Sequence, residues 1–372
     1  MRRKVAISAA VARRPGVGGH VWAVLQWMLG FRSLGWDPLL IDWVEDLNSP
    51  EASSAVAALA ATMDRLGLDW VMLSPDGVAS AGLSVCEFDR WIDASELLVN
   101  VMGYLGPVVA SRFPMRVFLD IDPGFGQMWR ALGLADVFAG HDRFASVGVN
   151  VGRSGCAVPD LGLDWLPTLP PVALDHWPIS PGGRDVTSVV TWRGPFAPVD
   201  FEGRRYGLRA HEFRRFLALP QQTPARFRLA LDIDDSDEHD RARLLASGWD
   251  LHVPRDVAGD PFAYRGFIQG SAAEMCIAKE MYVATRSGWF SDRSACYLAS
   301  GKPVVAQDTG FATSLPVGEG LLSFVGPDDA AEGVEAVLAD RERHARAARA
   351  LAEEHFAAGR VVARLLDRIG VG

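Results

Sequence analysis

Apolar residues in this chain fall into short dense runs, separated by glycine- and proline-marked loops and by stretches of helical period. Lys4–Ala10 is the first run. A glycine-rich loop, Val11–Gly19, follows, and His20–Leu34 then repeats apolar positions at three- and four-residue spacing up to Gly35. Pro38–Asp42 is the next run. Strand, glycine loop, helix, glycine and strand in that order open an α/β fold. Ser53–Leu66 has helical character, and strands are expected at Trp70–Leu73, Glu96–Val101, Arg116–Asp120, Asp136–Ala139, Arg143–Val147 and Val172–Leu174.

Prolines then cluster at Pro159, Pro167, Pro170, Pro171, Pro178 and Pro181, with Gly182 and Gly183 behind them. Asp175–Arg184 reads as a linker. The pattern restarts beyond it, with strands expected at Val186–Trp192, Arg226–Leu231, Trp249–Val253 and Met281–Ala284. Helices are expected at His211–Ala218, Glu238–Ser247, Glu274–Glu280, Asp328–Leu338 and Arg341–Ile369. This organisation divides the chain into 1–178 and 179–372, two α/β domains, with the last helix free to pack back on the first domain.

The length of 372 residues agrees with two or three domains, and 49% apolar residues can fill two cores. A net charge of −9 argues against broad nucleic-acid binding and leaves room for a local phosphate pocket. The cysteines Cys86, Cys156, Cys276 and Cys296 are scattered without a CxxC, so neither a zinc site nor a disulfide framework is expected, and a reducing cytoplasm fits. Met1–Ala12 begins with basic residues and a short apolar run, but Arg13–Gly16 interrupts it, which favours a first strand over a signal peptide. The apolar stretch 97–110 is too short to span a bilayer.

The richest stretch is Ser287–Gly310. Ser291 and Asp292 are good N-cap residues for a short apolar helix that Gly301 ends, and Pro303 precedes the run Val304–Ala306. A helix start aims free N–H groups and a positive dipole end into the loop, with Arg293 beside it, which suits a diphosphate. Gln307 and Asp308 follow the strand's carboxyl end, where open α/β sheets bind ligands. In the first half, Gly16, Gly18 and Gly19 permit close backbone approach ahead of His20.

The 287–310 layout, closing on small-Gly-x-Pro-Val-Val, resembles the donor half of GT-B glycosyltransferases of the family 1 and family 4 type. The Gly-His-Val opening with Leu34–Asp37 resembles antibiotic- and plant-type members. The resemblance implies two Rossmann-like domains facing each other across a cleft. It also implies transfer of a hexose-type sugar from a nucleotide diphosphate donor to a small or peptide-like acceptor, with no cofactor and no required divalent metal. Two upstream glutamates common in such enzymes fall here on Gly288 and Cys296, so that pair is absent.

By the resemblance His20 is the base, Asp120 its orienting carboxylate and Asp122 the second choice. Ser291, Asp292, Arg293 and Ser294 hold the leaving diphosphate, Gly18 and Gly19 line the cleft, and Gln307 and Asp308 face the sugar. Arg193 sits in a loop that can reach phosphate. Ser271 with Glu274 reads as a capping box whose helix start can border the donor, with Lys279 at its end. Asp120-x-Asp122 also matches a DxD metal pattern, but it equally suits a cap on the Pro123–Gly124 turn. A nucleotide-sugar 2-epimerase, a noncatalytic binding protein and a nicotinamide enzyme are the competing readings. A homodimer is left open.

Overall fold

The computed structural model describes residues 2–371. Eight strands form the first sheet: β1 (Lys4–Ser8), β2 (Asp37–Trp43), β3 (Asp69–Leu73), β4 (Ala79–Gly82), β5 (Leu97–Val101), β6 (Arg116–Asp120), β7 (Arg143–Ser146) and β8 (Trp165–Pro167). Their order is β4-β3-β2-β1-β5-β6-β7-β8, and only β3 with β4 is antiparallel. Val5 lies opposite Pro38 on one side and Leu97 on the other. A strand flanked on both edges and covered on both faces must be apolar along its length, as Val5–Ile7 is.

The second sheet begins with β9 (Val186–Thr191). A hairpin, β10 (Val199–Phe201) with β11 (Arg204–Tyr206), stands apart from it. β12 (Phe227–Asp232), β13 (Asp250–His252), β14 (Ala273–Cys276), β15 (Val304–Gln307) and β16 (Leu321–Phe324) complete six parallel strands in the order β13-β12-β9-β14-β15-β16. In both sheets the chain runs outward from its first strand and then returns to that strand's other side. The carboxyl ends beside β1/β5 and β9/β14 are therefore the switch points where connections part and leave a crevice.

Several expected elements differ. Residues 271–285 reverse the reading: Ala273–Cys276 is a strand, and Glu280–Thr285 is a helix. β14 is inserted between β9 and β15, so pairing on both edges overrides the local capping-box signal. Asp136–Ala139 is loop, with Asp136 accepting from the Phe138 N–H. Val172 makes only an isolated bridge with Ala357, and Leu174–His176 is a short 3₁₀ turn.

The two units share a long seam. The helix Ala358–Ile369 packs on the helix Gly18–Ser33, where a Cβ at Gly30 would lie 2.7 Å from Val362 and 3.0 Å from the Ala358 carbonyl. Trp22 donates to the Pro261 carbonyl at 2.6 Å and meets Trp177 edge to face at 5.0 Å. Further along, Asn150 donates to the carbonyls of Arg286 and Gly310, both at 3.1 Å. Phe196 of the second unit packs tilted against Phe125 and edge to face against Trp129 of the first. All four cysteines are free. Among the described residues no helix is long and apolar enough to cross a membrane.

Candidate functional site

A cleft of about 550 Å³ opens at the two switch points. The first unit contributes the loop after β1 (Arg14–His20), Met102 and Tyr104 after β5, and Ile121 and Asp122 after β6. The second contributes Thr191 and Phe196 after β9, Arg209 at the start of the helix Arg209–Phe213, and Lys279 after β14. Asp292 and Arg293 add the start of the helix Asp292–Ala299.

Three buried cations stand on the second unit's wall, and their partners differ. Arg293 pairs with Glu274, which is fully buried, and donates to the Val189 carbonyl at 2.8 Å. Burial opposes its charge, but Glu274 and other neighbours more than restore it, and its pKa is held high. Lys279 reaches across the cleft to both oxygens of Asp122, at 2.7 and 2.8 Å, and Tyr282 donates to the same carboxylate. Burial lowers the Lys279 pKa against the pull of Asp122. The ammonium sits among rings, 5.1 Å from the Phe125 centroid and 5.2 Å from that of Tyr282.

Arg209 is different. Its Nε donates to the Ile277 carbonyl and its Nη1 to the Thr191 carbonyl, both at 3.1 Å. It is 8% exposed, and no carboxylate among the described residues pairs with it. Burial and then the nearby Arg293 charge push its pKa down, yet a guanidinium keeps its proton. Two carbonyls fix the fork while the charge is left uncompensated at the cleft wall. Sequence reasoning missed Arg209. The available signal was a cation between Leu208 and Ala210, two apolar residues that a solvated face would not flank.

The first unit's wall carries one cation, Arg14, and one carboxylate, Asp122. His20 Nε2 donates to the Ala10 carbonyl at 3.0 Å, which leaves the lone pair on Nδ1. Burial, helped by the Arg14 charge, pushes its pKa down to about 4, so the ring is neutral near pH 7. The structure does not bring Asp120 to His20. Asp120 accepts from Gln127 at 2.7 Å, Ser146 at 2.9 Å and the Asp122 N–H at 3.0 Å, lies 1% exposed and does not line the cleft. Burial raises its pKa to about 6. Asp120 instead fixes the loop that presents Asp122 to the cleft.

Other expected residues lie elsewhere. Ser291 and Ser294 are 2% and 0% exposed and do not line the cleft, because their helix is buried on nearly every side. The helix start carries Asp292, whose pKa burial raises against the Arg293 charge and the backbone N–H groups of Asp292 and Arg293. Ser271 lies just before β14 and bonds to Phe267 and Thr187 in a buried cluster. Gln307 bridges the Ala278 N–H and Glu212, and Asp308 caps the Gly310 N–H, both away from the cleft. Arg193 is turned aside by a two-pronged bond to Asp237.

The glycines have a reason that is not a ligand. A Cβ on Gly18 would lie 2.2 Å from the Asp260 carbonyl oxygen, and one on Gly19 would lie 2.8 Å from the Tyr264 ring. They let the two units close on each other while still lining the cleft. Gly288 has φ +75°, and its Cβ would lie 2.7 Å from Val149. A glutamate cannot stand there while the first unit's loop does. Among the described residues no three His, Cys, Asp or Glu side chains gather as a metal site.

No protein-family model and no curated protein matches the chain. Solved structures match over its whole length. HepE of Anabaena, solved with UDP and glucose, has a TM-score of 0.62 at 13% identity, covering 99% of this chain and 100% of that one. The sucrose-phosphate synthase of Thermosynechococcus elongatus has 0.57 at 13% identity, covering 99% of each. An alpha-glucosyltransferase solved with UDP and a 13-mer DNA has 0.58 at 11% identity, covering 100% of each. The likeness is one of architecture, and it shows that this chain has the GT-B fold.

Proposed function

We propose that the chain is a glycosyltransferase that takes a sugar from a nucleotide diphosphate donor. The observation that carries this reading is Arg209, a buried cation at the switch point of the second sheet with no carboxylate partner. Such a charge is costly in isolation and is satisfied when an anion enters. Arg209 and Lys279 share one wall, and Lys279 can exchange Asp122 for a ligand, so the anion should carry more than one charge, as a diphosphate does. HepE and the alpha-glucosyltransferase were both solved with UDP, which agrees with this choice.

In the reaction the acceptor's hydroxyl oxygen bonds to the sugar's anomeric carbon. The bond from that carbon to the diphosphate oxygen breaks, and its electron pair leaves with the nucleotide. Arg209 and Lys279 offset the charge that develops there, so the protein supplies the stabilisation without requiring a metal. The acceptor's proton passes to His20 Nδ1 or to Asp122, the basic groups that the first unit turns to the cleft. For a donor phosphate to reach Lys279, Asp122 must release it, which frees that carboxylate as the sugar arrives.

The same reading divides the chain near 178/179, between β8 and β9, with the last helix returning to the first unit. Free, scattered thiols support a cytoplasmic setting. The test is to incubate the protein with UDP-, GDP-, ADP- and TDP-glucose and to measure nucleotide binding and nucleoside diphosphate release, with and without acceptor mixtures. Binding of one donor, with release that an acceptor accelerates, is the expected result. Binding without any turnover would mean a noncatalytic sugar-nucleotide protein, and no binding would overturn the reading.

A further inference from the structure

Two more cavities open at the carboxyl edge of the first sheet. One, about 440 Å³, lies between Arg13, Trp43 and the start of the helix Pro50–Leu66. The other, about 370 Å³, is walled by Trp43, Tyr104, Leu105 and Val109. Trp43 belongs to both. Pro15 joins the first cavity to the cleft, and Tyr104 joins the second to it. Together they make a trough leading away from the reaction centre.

Arg13 lines the first of these cavities, beside the Trp43 that both share. Its guanidinium lies 3.8 Å from the Trp43 ring centroid and 5.4 Å from that of Tyr104. Nε and Nη2 are buried and have no hydrogen-bond partner. The nearest carboxylate, Asp42, is 3.9 Å away and already accepts the N–H groups of Val11, Ala12 and Trp43 at 2.6–2.7 Å. Two rings thus hold a planar cation whose donors are unused. Stacking recovers part of the cost of burying it, and an anion would recover the rest.

Resting on the glycosyltransferase reading, we propose that this trough is the acceptor subsite and that the acceptor is an apolar acid with a single negative charge. The acid seats on the Arg13 guanidinium where that residue lines the cavity, and the apolar body lies across Trp43 toward Leu105 and Val109. The number of charges follows from the outer rim. Glu45, Asp46 and Glu51 line the Arg13 cavity on its far side and repel a second negative group. The body's direction follows from the other cavity, where Asp76 is the only charged side chain on an otherwise apolar wall. Val108 on that wall is 77% exposed, an apolar side chain without cover. Through Tyr104 a hydroxyl on such a molecule can reach the cleft that His20 and Asp122 line.

The test uses two fluorescent probes of one shape. These are 1-anilinonaphthalene-8-sulfonate, an apolar acid, and N-phenyl-1-naphthylamine, its uncharged counterpart. Wild type should bind the sulfonate in preference to the amine at one site. Arg13→Gln should remove about tenfold of that preference, while Arg13→Lys should keep most of it. Trp43→Ala should weaken both probes alike. The sulfonate should bind with nucleotide already present. Cooperative melting of each variant confirms that it is folded. An unchanged preference in Arg13→Gln, or displacement of the sulfonate by nucleotide, would overturn the proposal. Nucleotide binding is measured on the same samples, so failure of the donor reading shows as loss of that signal with probe binding intact.

Discussion

Arg209 and Arg293 stand on the same cleft wall, and both are buried. Their surroundings separate them. Arg293 meets Glu274 inside the sheet, and the charge of each is spent on the other. Arg209 meets only the carbonyls of Thr191 and Ile277, which fix its direction without cancelling its charge. A buried cation with a buried carboxylate is part of the fold. A buried cation held by dipoles alone is available to a ligand. Lys279 is the intermediate case, since its partner Asp122 comes from the opposite unit and can be exchanged.

The strongest way to break the comparison is Arg293→Met. It leaves Glu274 unpaired at 0% exposure, and the expected loss is about 3–5 kcal/mol of stability, read as a large drop in Tm. Adding Glu274→Met should restore much of it, because the uncompensated charge goes too. Next comes Arg209→Met. Its expected effect falls on binding, with nucleoside diphosphate affinity reduced about 100-fold and Tm held or raised, because no carboxylate is orphaned. Lys279→Met should fall between them. About tenfold in affinity and about 1 kcal/mol in stability are expected, read by titration and melting, because Tyr282 still bonds to Asp122.

A further prediction concerns pH. Burial lowers the folded-state pKa of His20 from 6.5 to about 4, so the unfolded chain binds more protons in that interval. The group's contribution to stability is complete above pH 6.5 and is lost as pH falls through about 4. His20→Gln should therefore flatten the rise of Tm between pH 4 and 6.5. If His20 takes the acceptor's proton, transfer should stay level down to about pH 5, rather than failing near 6.5.

Much of the framework is legible because it rests on local rules. The run Glu96–Val101 reads as a buried strand, and Leu97–Val101 is one; Gly301 with Pro303 marks the turn between the helix Asp292–Ala299 and β15. The stretch 271–285 was not legible. Ser271 and Glu274 have the spacing of a capping box, but Glu274 sits in a central strand because Arg293, 19 residues on, neutralises it there. Lys279 and Arg293 were named from the sequence, one at the end of an expected helix and one at a helix start, and both line the cleft. Arg209 was hidden, since its partners are backbone carbonyls at the ends of the neighbouring strands β9 and β14, far apart in the sequence. Ser291 and Ser294 show the reverse error. Helix-start chemistry was present in the sequence, but the direction of the hydroxyls depends on packing that no short segment contains.

The most direct test of this account is a calorimetric titration of wild type and Arg209→Met with nucleoside diphosphates, alongside the melting curve of each. Tight binding of one nucleotide to wild type is expected, with affinity about 100-fold weaker in the variant and Tm unchanged or higher. Equal affinity in the two proteins, or a Tm loss as large as that of Arg293→Met, would contradict the claim that Arg209 is the cation set aside for the donor.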